Sequence, residues 1–120
     1  MGYTFVVAEV SDLRRRLVKR VRFLVDTGAG FMVIPPRLAA ELGIEPLTKM
    51  EVTLADGRKK LVDLGFAYIR ILDREAVVHA IIMETPEPIV GTFTMQILGL
   101  TVDPVSEEVK PTRSFAIGLL

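Results

Sequence analysis

The sequence predicts an all-β domain carrying two short helices. Apolar and polar residues alternate with period two over most of its 120 residues, the pattern of strands that bury one face. Turn-forming groups interrupt the alternation at short intervals: Ser11-Asp12, Asp56-Gly57, Asp73-Arg74-Glu75 and the segment from Glu84 to Pro88. The strands between them are therefore of hairpin length. Only two stretches, Arg37 to Gly43 and Phe93 to Leu100, read as helices.

Tyr3 to Val10 reads as the first strand, with Ser11-Asp12 as the turn that follows. In the second strand Leu17, Val21, Phe23 and Val25 share one face, which Lys19 interrupts near its solvent end. Pro35-Pro36 opens the first helix, since proline fixes φ in a first turn, and Gly43 supplies the left-handed residue that ends it. Met50, Val52 and Leu54 then alternate with Glu51 and Thr53, Asp56-Gly57 supplies the positive φ angles of a tight turn, and Lys59 to Leu64 is the returning arm. Phe66 to Leu72 and Ala76 to Met83 form another hairpin. Pro86 and Pro88 lack the donors of a ladder, so a loop precedes Ile89-Val90-Gly91 and the second helix. Val102 and Val109 belong to a last hairpin, and Ser114 to Leu120 is an apolar tail. The division expected is one domain over residues 1–110 and a tail over 111–120.

Composition narrows the chemistry. Fifteen Lys and Arg balance fifteen Asp and Glu, which argues against a general polyanion binder and makes nucleic acid an unlikely partner. With no Cys and one histidine, His79, there is no Cys-based or multi-histidine zinc site, no Cys nucleophile, and no Ser-His-Asp triad except through His79. Carboxylates, hydroxyls and backbone must carry any reaction, and no cofactor or metal is expected. No apolar run approaches a membrane span, and Met1 to Val6 lacks the layout of a signal peptide, so the expected location is cytoplasmic.

The sharpest feature is Leu24-Val25-Asp26-Thr27-Gly28-Ala29: a carboxylate at the end of an apolar strand, then a hydroxyl, a glycine and a small residue. Read alone, it also fits a strand ending in a turn that Asp26 caps and Gly28 permits. A second feature is Ile89-Val90-Gly91, two apolar residues and a glycine leading into a helix. Taken together and in this order, over about residues 5 to 110, these features resemble the retroviral-type (retropepsin-like, clan AA) aspartic proteases, in particular their short microbial single-domain relatives. The resemblance implies an acid-protease half-barrel that dimerises across the active site, and an aspartic endopeptidase acting on an extended peptide or protein.

The chemistry accounts for the dimer. Attack of water on an amide needs a base for the water's proton and an acid for the carbonyl oxygen or leaving nitrogen, and two carboxylates sharing one proton supply both. The chain holds one such motif, so a symmetric dyad takes Asp26 from each of two copies. At about 3 Å, with an effective dielectric near 20, two ionised carboxylates repel by about 5 kcal/mol. One therefore keeps its proton.

By resemblance, Asp26, Thr27 and Gly28 are the catalytic set, with the Thr27 hydroxyl bonding across the dimer axis. Ala29, Gly30, Ile89 and Val90 line the substrate site. The hairpin with Asp56 and Gly57 at its tip is the candidate flap, closing over an extended peptide. Its arms carry Arg58, Lys59 and Lys60, unlike the glycine-rich flap tips of the viral enzymes. Where those enzymes pair an acidic residue after the alanine with an arginine after the second glycine, this chain has Gly30 and Thr92. Both partners are missing together, so no charge is orphaned. The apolar tail reads two ways, as an added interface strand, which would account for an exposed apolar end, or as a disordered terminus.

Two further readings use the same residues. The fold also suits a catalytically silent, dimeric peptide-binding module. The cluster Arg14, Arg15, Arg16, Lys19, Arg20 and Arg22 suits a phosphate-binding patch, or simply a solvated hairpin with basic edges. His79 is expected to be a strand residue.

Overall fold

The computed structural model describes residues 3–112, and the expected tail strand over Ser114 to Leu120 falls outside them. The elements run β1 (Thr4–Ser11), β2 (Lys19–Val25), β3 (Met32–Ile34), α1 (Pro36–Leu42), β4 (Thr48–Thr53), β5 (Lys59–Ile71), β6 (Arg74–Ile82), β7 (Ile89–Val90), α2 (Thr92–Leu98), β8 (Leu100–Val102) and β9 (Val109–Pro111). The all-β expectation with two short helices holds.

Six strands close on themselves. The order runs β1, β2, β7, β3, β6, β5, and β5 returns to β1 through the pairs Glu9 to Arg70, Val10 to Ile69 and Ser11 to Tyr68. Closure removes the open edges that a flat sheet would expose. β5 is long enough to serve two ladders: Asp63–Ile71 pairs with β6, while Lys59–Leu64 pairs with β4. The hairpin of β4 and the first half of β5 therefore extends beyond the barrel as two strands.

The alternation expected from the sequence decides which residues fill the barrel. Ala67, Ile69 and Ile71 of β5 point inward and meet Val10, Phe23, Met32, Ile34, Val90 and Leu98, all fully buried. Each such side chain contributes about 1.5–3 kcal/mol by leaving water. A second, smaller cluster lies outside the barrel, where Val33, Val62 and Ile81 are buried with Phe31, Met50, Val52, Leu64, Met83 and Ile89 around them.

Several boundaries differ from the sequence reading, each for a local reason. β3 was not anticipated: its three residues are all buried, so they show no alternation. β5 runs unbroken through Gly65, where a Cβ would fall 2.7 Å from the Glu45 carbonyl oxygen that crosses it. Leu17 lies before β2 and is exposed rather than on its inner face. The β5–β6 turn is Leu72-Asp73, with Ile71 opposite Arg74, so Arg74 and Glu75 belong to β6. α2 stops at Leu98 because Gly99 adopts φ 67°, and Arg74 Nη1 donates to the Leu98 and Gly99 carbonyls.

The hairpin tip also differs. Of Asp56 and Gly57 only Gly57 has positive φ, 88°. Gly57 N–H donates to Leu54 O (2.9 Å) and Leu54 N–H to Arg58 O (2.7 Å), giving a three-residue loop closed by a bulge glycine. At the β1–β2 connection Asp12 is buried. It accepts Arg16 N–H at 3.1 Å and Arg16 Nε at 2.8 Å, and the Arg16 hydrogen bond holds its carboxyl below the usual range.

Candidate active site

β2 delivers Asp26. Its last residues pair in parallel with β7, Leu24 beside Ile89 and Val25 beside Val90. The pairing continues beyond the strand: Leu24 N–H donates to Pro88 O (2.9 Å) and Asp26 N–H to Val90 O (3.0 Å). The chain then turns back, with Ala29 N–H donating to Asp26 O at 3.1 Å and Gly28 N–H to Asp26 Oδ1 at 2.9 Å.

The start of α2 holds the far side of this loop. Thr92 N–H donates to Ala29 O (2.8 Å) and Phe93 N–H to Gly30 O (2.9 Å). Gly91 is required here for space, since a Cβ would fall 2.5 Å from Gly30 O and 2.6 Å from Phe31 O. Its φ of −95° would suit any residue. The loop from Asp26 to Gly30 is thus held to Val90, Thr92 and Phe93 by three backbone hydrogen bonds, each of about 1 kcal/mol net. Asp26 is half-buried, and among the described residues no lysine, arginine or histidine forms an ion pair with it.

Gly28, Ala29 and Gly30 form one wall of a cleft of about 330 Å³, with Met50, Val52, Thr53 and Leu54 of the β4 hairpin among its other lining residues. Phe31, Val33, Ile81, Met83 and Phe93 complete it. No lining side chain is charged. The Phe93 ring covers Gly30: a Cβ at Gly30 would meet Phe93 Cε2 at 3.0 Å. Thr27 is exposed and lines a separate cleft of about 300 Å³ with Val25, Thr92, Met95 and Thr112 among others.

The remaining candidate residues are placed differently. Asp56 and Gly57 are exposed at the hairpin tip, outside the residues lining the cleft, and a Cβ at Gly57 would meet nothing within 4 Å. Arg58 Nε closes onto Asp56 Oδ2 at 2.6 Å. Ile89 is half-buried in the outer cluster. Val90 is fully buried and acts through its carbonyl. Phe31, Met50, Val52, Thr53, Ile81 and Met83 line the cleft and were not singled out from sequence. The shared face of Met50 and Val52 was visible, but not what it faces.

The basic cluster disperses. Arg16 pairs with Asp12 (2.7 Å) and Lys19 with Glu41 (2.6 Å), while Arg15 lies over the Tyr68 ring and Arg22 over the Phe5 ring. Burial and the hydrogen bond to Glu75 push the Tyr68 hydroxyl above its ordinary pKa. Among the described residues no group of three or more His, Cys, Asp or Glu is placed to hold a metal, and no helix is long and apolar enough to cross a membrane.

The family model for aspartyl proteases matches residues 6–102, a span that begins in β1, ends in β8 and contains both halves of the site. This chain belongs to the aspartyl protease family. No curated protein matches it. Among solved structures, it is similar to the protease of simian foamy virus (mac), with a TM-score of 0.58 at 14% identity, over 79% of this chain and 94% of that one. At that identity the likeness is one of fold, and the fold of this aspartyl protease is retropepsin-like.

Proposed function

We propose that this aspartyl protease is an endopeptidase that works as a homodimer, activating water between Asp26 of one copy and Asp26 of a second. The observation that carries this is Asp26 itself: a half-buried carboxylate, without a cationic partner among the described residues, on a loop whose backbone is held from two sides. A fixed carboxylate free of a cationic partner can share a proton with its symmetry mate.

The ionised Asp26 takes a proton from water as the water oxygen bonds to the carbonyl carbon. The protonated Asp26 gives its proton to the carbonyl oxygen. Collapse of the resulting diol breaks the C–N bond, the nitrogen leaves with a proton, and the dyad returns to one shared proton. Thr27 holds the two loops to each other across the axis. Gly28 leaves room for the substrate backbone, and Ala29 and Gly30 form the wall beside it. The β4–β5 hairpin, with Asp56 and Gly57 at its tip, closes over an extended peptide, and Ile89 and Val90 support the site from below. The folded unit that does this is residues 1–110, with 111–120 contributing to the dimer interface.

The test is cleavage of a mixed peptide library across about pH 4 to 7, read by mass spectrometry beside Asp26→Asn and a sedimentation run at the same concentration. Cleavage that tracks the dimer and vanishes in Asp26→Asn is expected. A stable dimer that cleaves nothing would move the assignment to a peptide-binding module, the reading favoured by the uncharged Gly30 and Thr92 positions.

A further inference from the structure

A row of rings runs from the wall of the cleft onto the outer face of the barrel. Phe66 of β5 stands opposite His79 of β6. Phe31 immediately precedes Met32, which pairs with Ala80, so its ring falls beside His79 on the next strand. Ring centroids lie 4.8 Å apart for Phe66 and His79, 4.9 Å for His79 and Phe31, and 5.7 Å for Phe31 and Phe93. The row thus crosses three neighbouring strands and ends on α2. It is also open to solvent: Phe66 is 37% and Phe93 50% exposed, and His79 is exposed. A contiguous exposed patch of this kind marks a surface meant to be covered.

What covers it follows from where it starts. Phe31 and Phe93 line the cleft beside Gly28 and Gly30, so a chain lying in the cleft touches the first two rings. The part of the cleft that one copy supplies, about 330 Å³, is at the small end for binding sites and takes only a few side chains. The rest of an extended substrate has to leave across an outer face. Side chains on one face of an extended chain recur about every 7 Å, a longer step than the 4.8 to 5.7 Å between ring centroids, so alternate residues fall on or between the rings of the row. At the far end Phe66 lines a hollow of about 370 Å³ with the exposed Leu13 and Leu47, and with Asp12, Arg14, Arg16 and Glu45 as its charged members.

We propose that His79 and Phe66, reached from Phe93 and Phe31 at the cleft wall, form a secondary substrate-binding track for aromatic side chains lying outside the part of the peptide held in the cleft. This rests on the protease reading for the identity of the occupant, a peptide substrate. Aromatic partners are favoured because ring pairs gain affinity beyond the area they cover. The absence of any charged side chain from the cleft lining disfavours charged residues where the track begins.

The chain supplies its own reporter, since His79 is its only histidine. Two synthetic peptides share one apolar core and carry either tryptophan or serine at alternate flanking positions. Their affinities for Asp26→Asn protein are measured by calorimetry, while the His79 ring protons are followed by NMR. The tryptophan peptide is expected to bind about tenfold tighter and to shift the His79 signals, and the affinity ratio to fall close to one in Phe66→Ser and in His79→Ser. Both side chains are exposed, and a thermal melt confirms that each variant folds.

Equal affinities, or a ratio that survives both substitutions, overturn the track and leave the protease reading intact. A tenfold ratio in a protein whose wild type cleaves no peptide keeps the track and overturns the protease. Binding of neither peptide overturns the track. His79 signals that move with protein concentration alone assign the face to a second copy and overturn it as well.

Discussion

Asp26 and Asp56 make the same side-chain bond to the backbone. Each accepts a backbone N–H from two residues ahead, Gly28 at 2.9 Å and Arg58 at 3.0 Å, and each is followed closely by a glycine. Around Asp26 the turn is tied to Val90, Thr92 and Phe93, and Gly91 is packed so closely that no side chain fits. The turn at Asp56 is bonded only within its own hairpin tip, stands in solvent and is neutralised by Arg58. Asp103 makes the bond a third time, accepting from Val105 at 2.8 Å. The motif is therefore common in this protein, and what separates one copy from the others is anchoring and, among the described residues, the absence of a paired cation.

The largest test of that contrast is chemical. Asp26→Asn keeps the turn, since an amide oxygen still accepts the Gly28 N–H, and is expected to lower cleavage by about a thousandfold or more. Asp56→Asn is expected to change the same assay by less than about tenfold. Comparable losses from the two would erase the distinction drawn here.

Next come the two glycines. Gly91→Ala puts a methyl 2.5 Å from Gly30 O and is expected to cost about 3 kcal/mol or more, read from urea unfolding. Gly57→Ala has open space but a φ of 88°, so its expected cost is about 1 kcal/mol. A Gly57→Ala variant less stable than Gly91→Ala would mean that the hairpin tip, not the loop at Asp26, is the constrained region.

The smallest effect concerns pH. Lys110, then the Val105 and Ser106 N–H groups, hold Asp103 down to about 2 from the ordinary 3.8. A carboxyl lowered on folding stabilises the fold above its unfolded pKa, and that contribution is lost as pH falls from about 3.8 to about 2. Amide exchange in β8 and β9 is expected to quicken over that window in the wild type and to show no such step in Asp103→Asn.

Much of the fold was legible. Alternation marked β1, most of β2 and the β5–β6 hairpin, because each buries one face, and Pro36 and Gly43 bounded α1. β3 was not legible, because three buried residues carry no period. The passage of β5 through Gly65 was hidden because the reason, the Glu45 carbonyl, lies twenty residues away. At the site, the sequence picked out Asp26, Thr27, Gly28, Ala29, Gly30 and the Ile89-Val90-Gly91 segment, because short-range spacing carries them. It passed over Phe31, and it treated Phe93 only as a helix residue, because both matter through what they touch.

By itself the sequence determined the all-β class, the single acidic motif and the chemistry left to a chain without cysteine and with one histidine. Those follow from periodicity and composition, which are properties of residue order. Only the tertiary structure decided that the Asp26 loop would be held by β7 and α2, that Phe93 would cover Gly30, and that a row of four rings would run from the cleft wall onto the outer face. Each of these joins segments more than ten residues apart, and such pairings are set by barrel closure and packing, which local spacing does not encode.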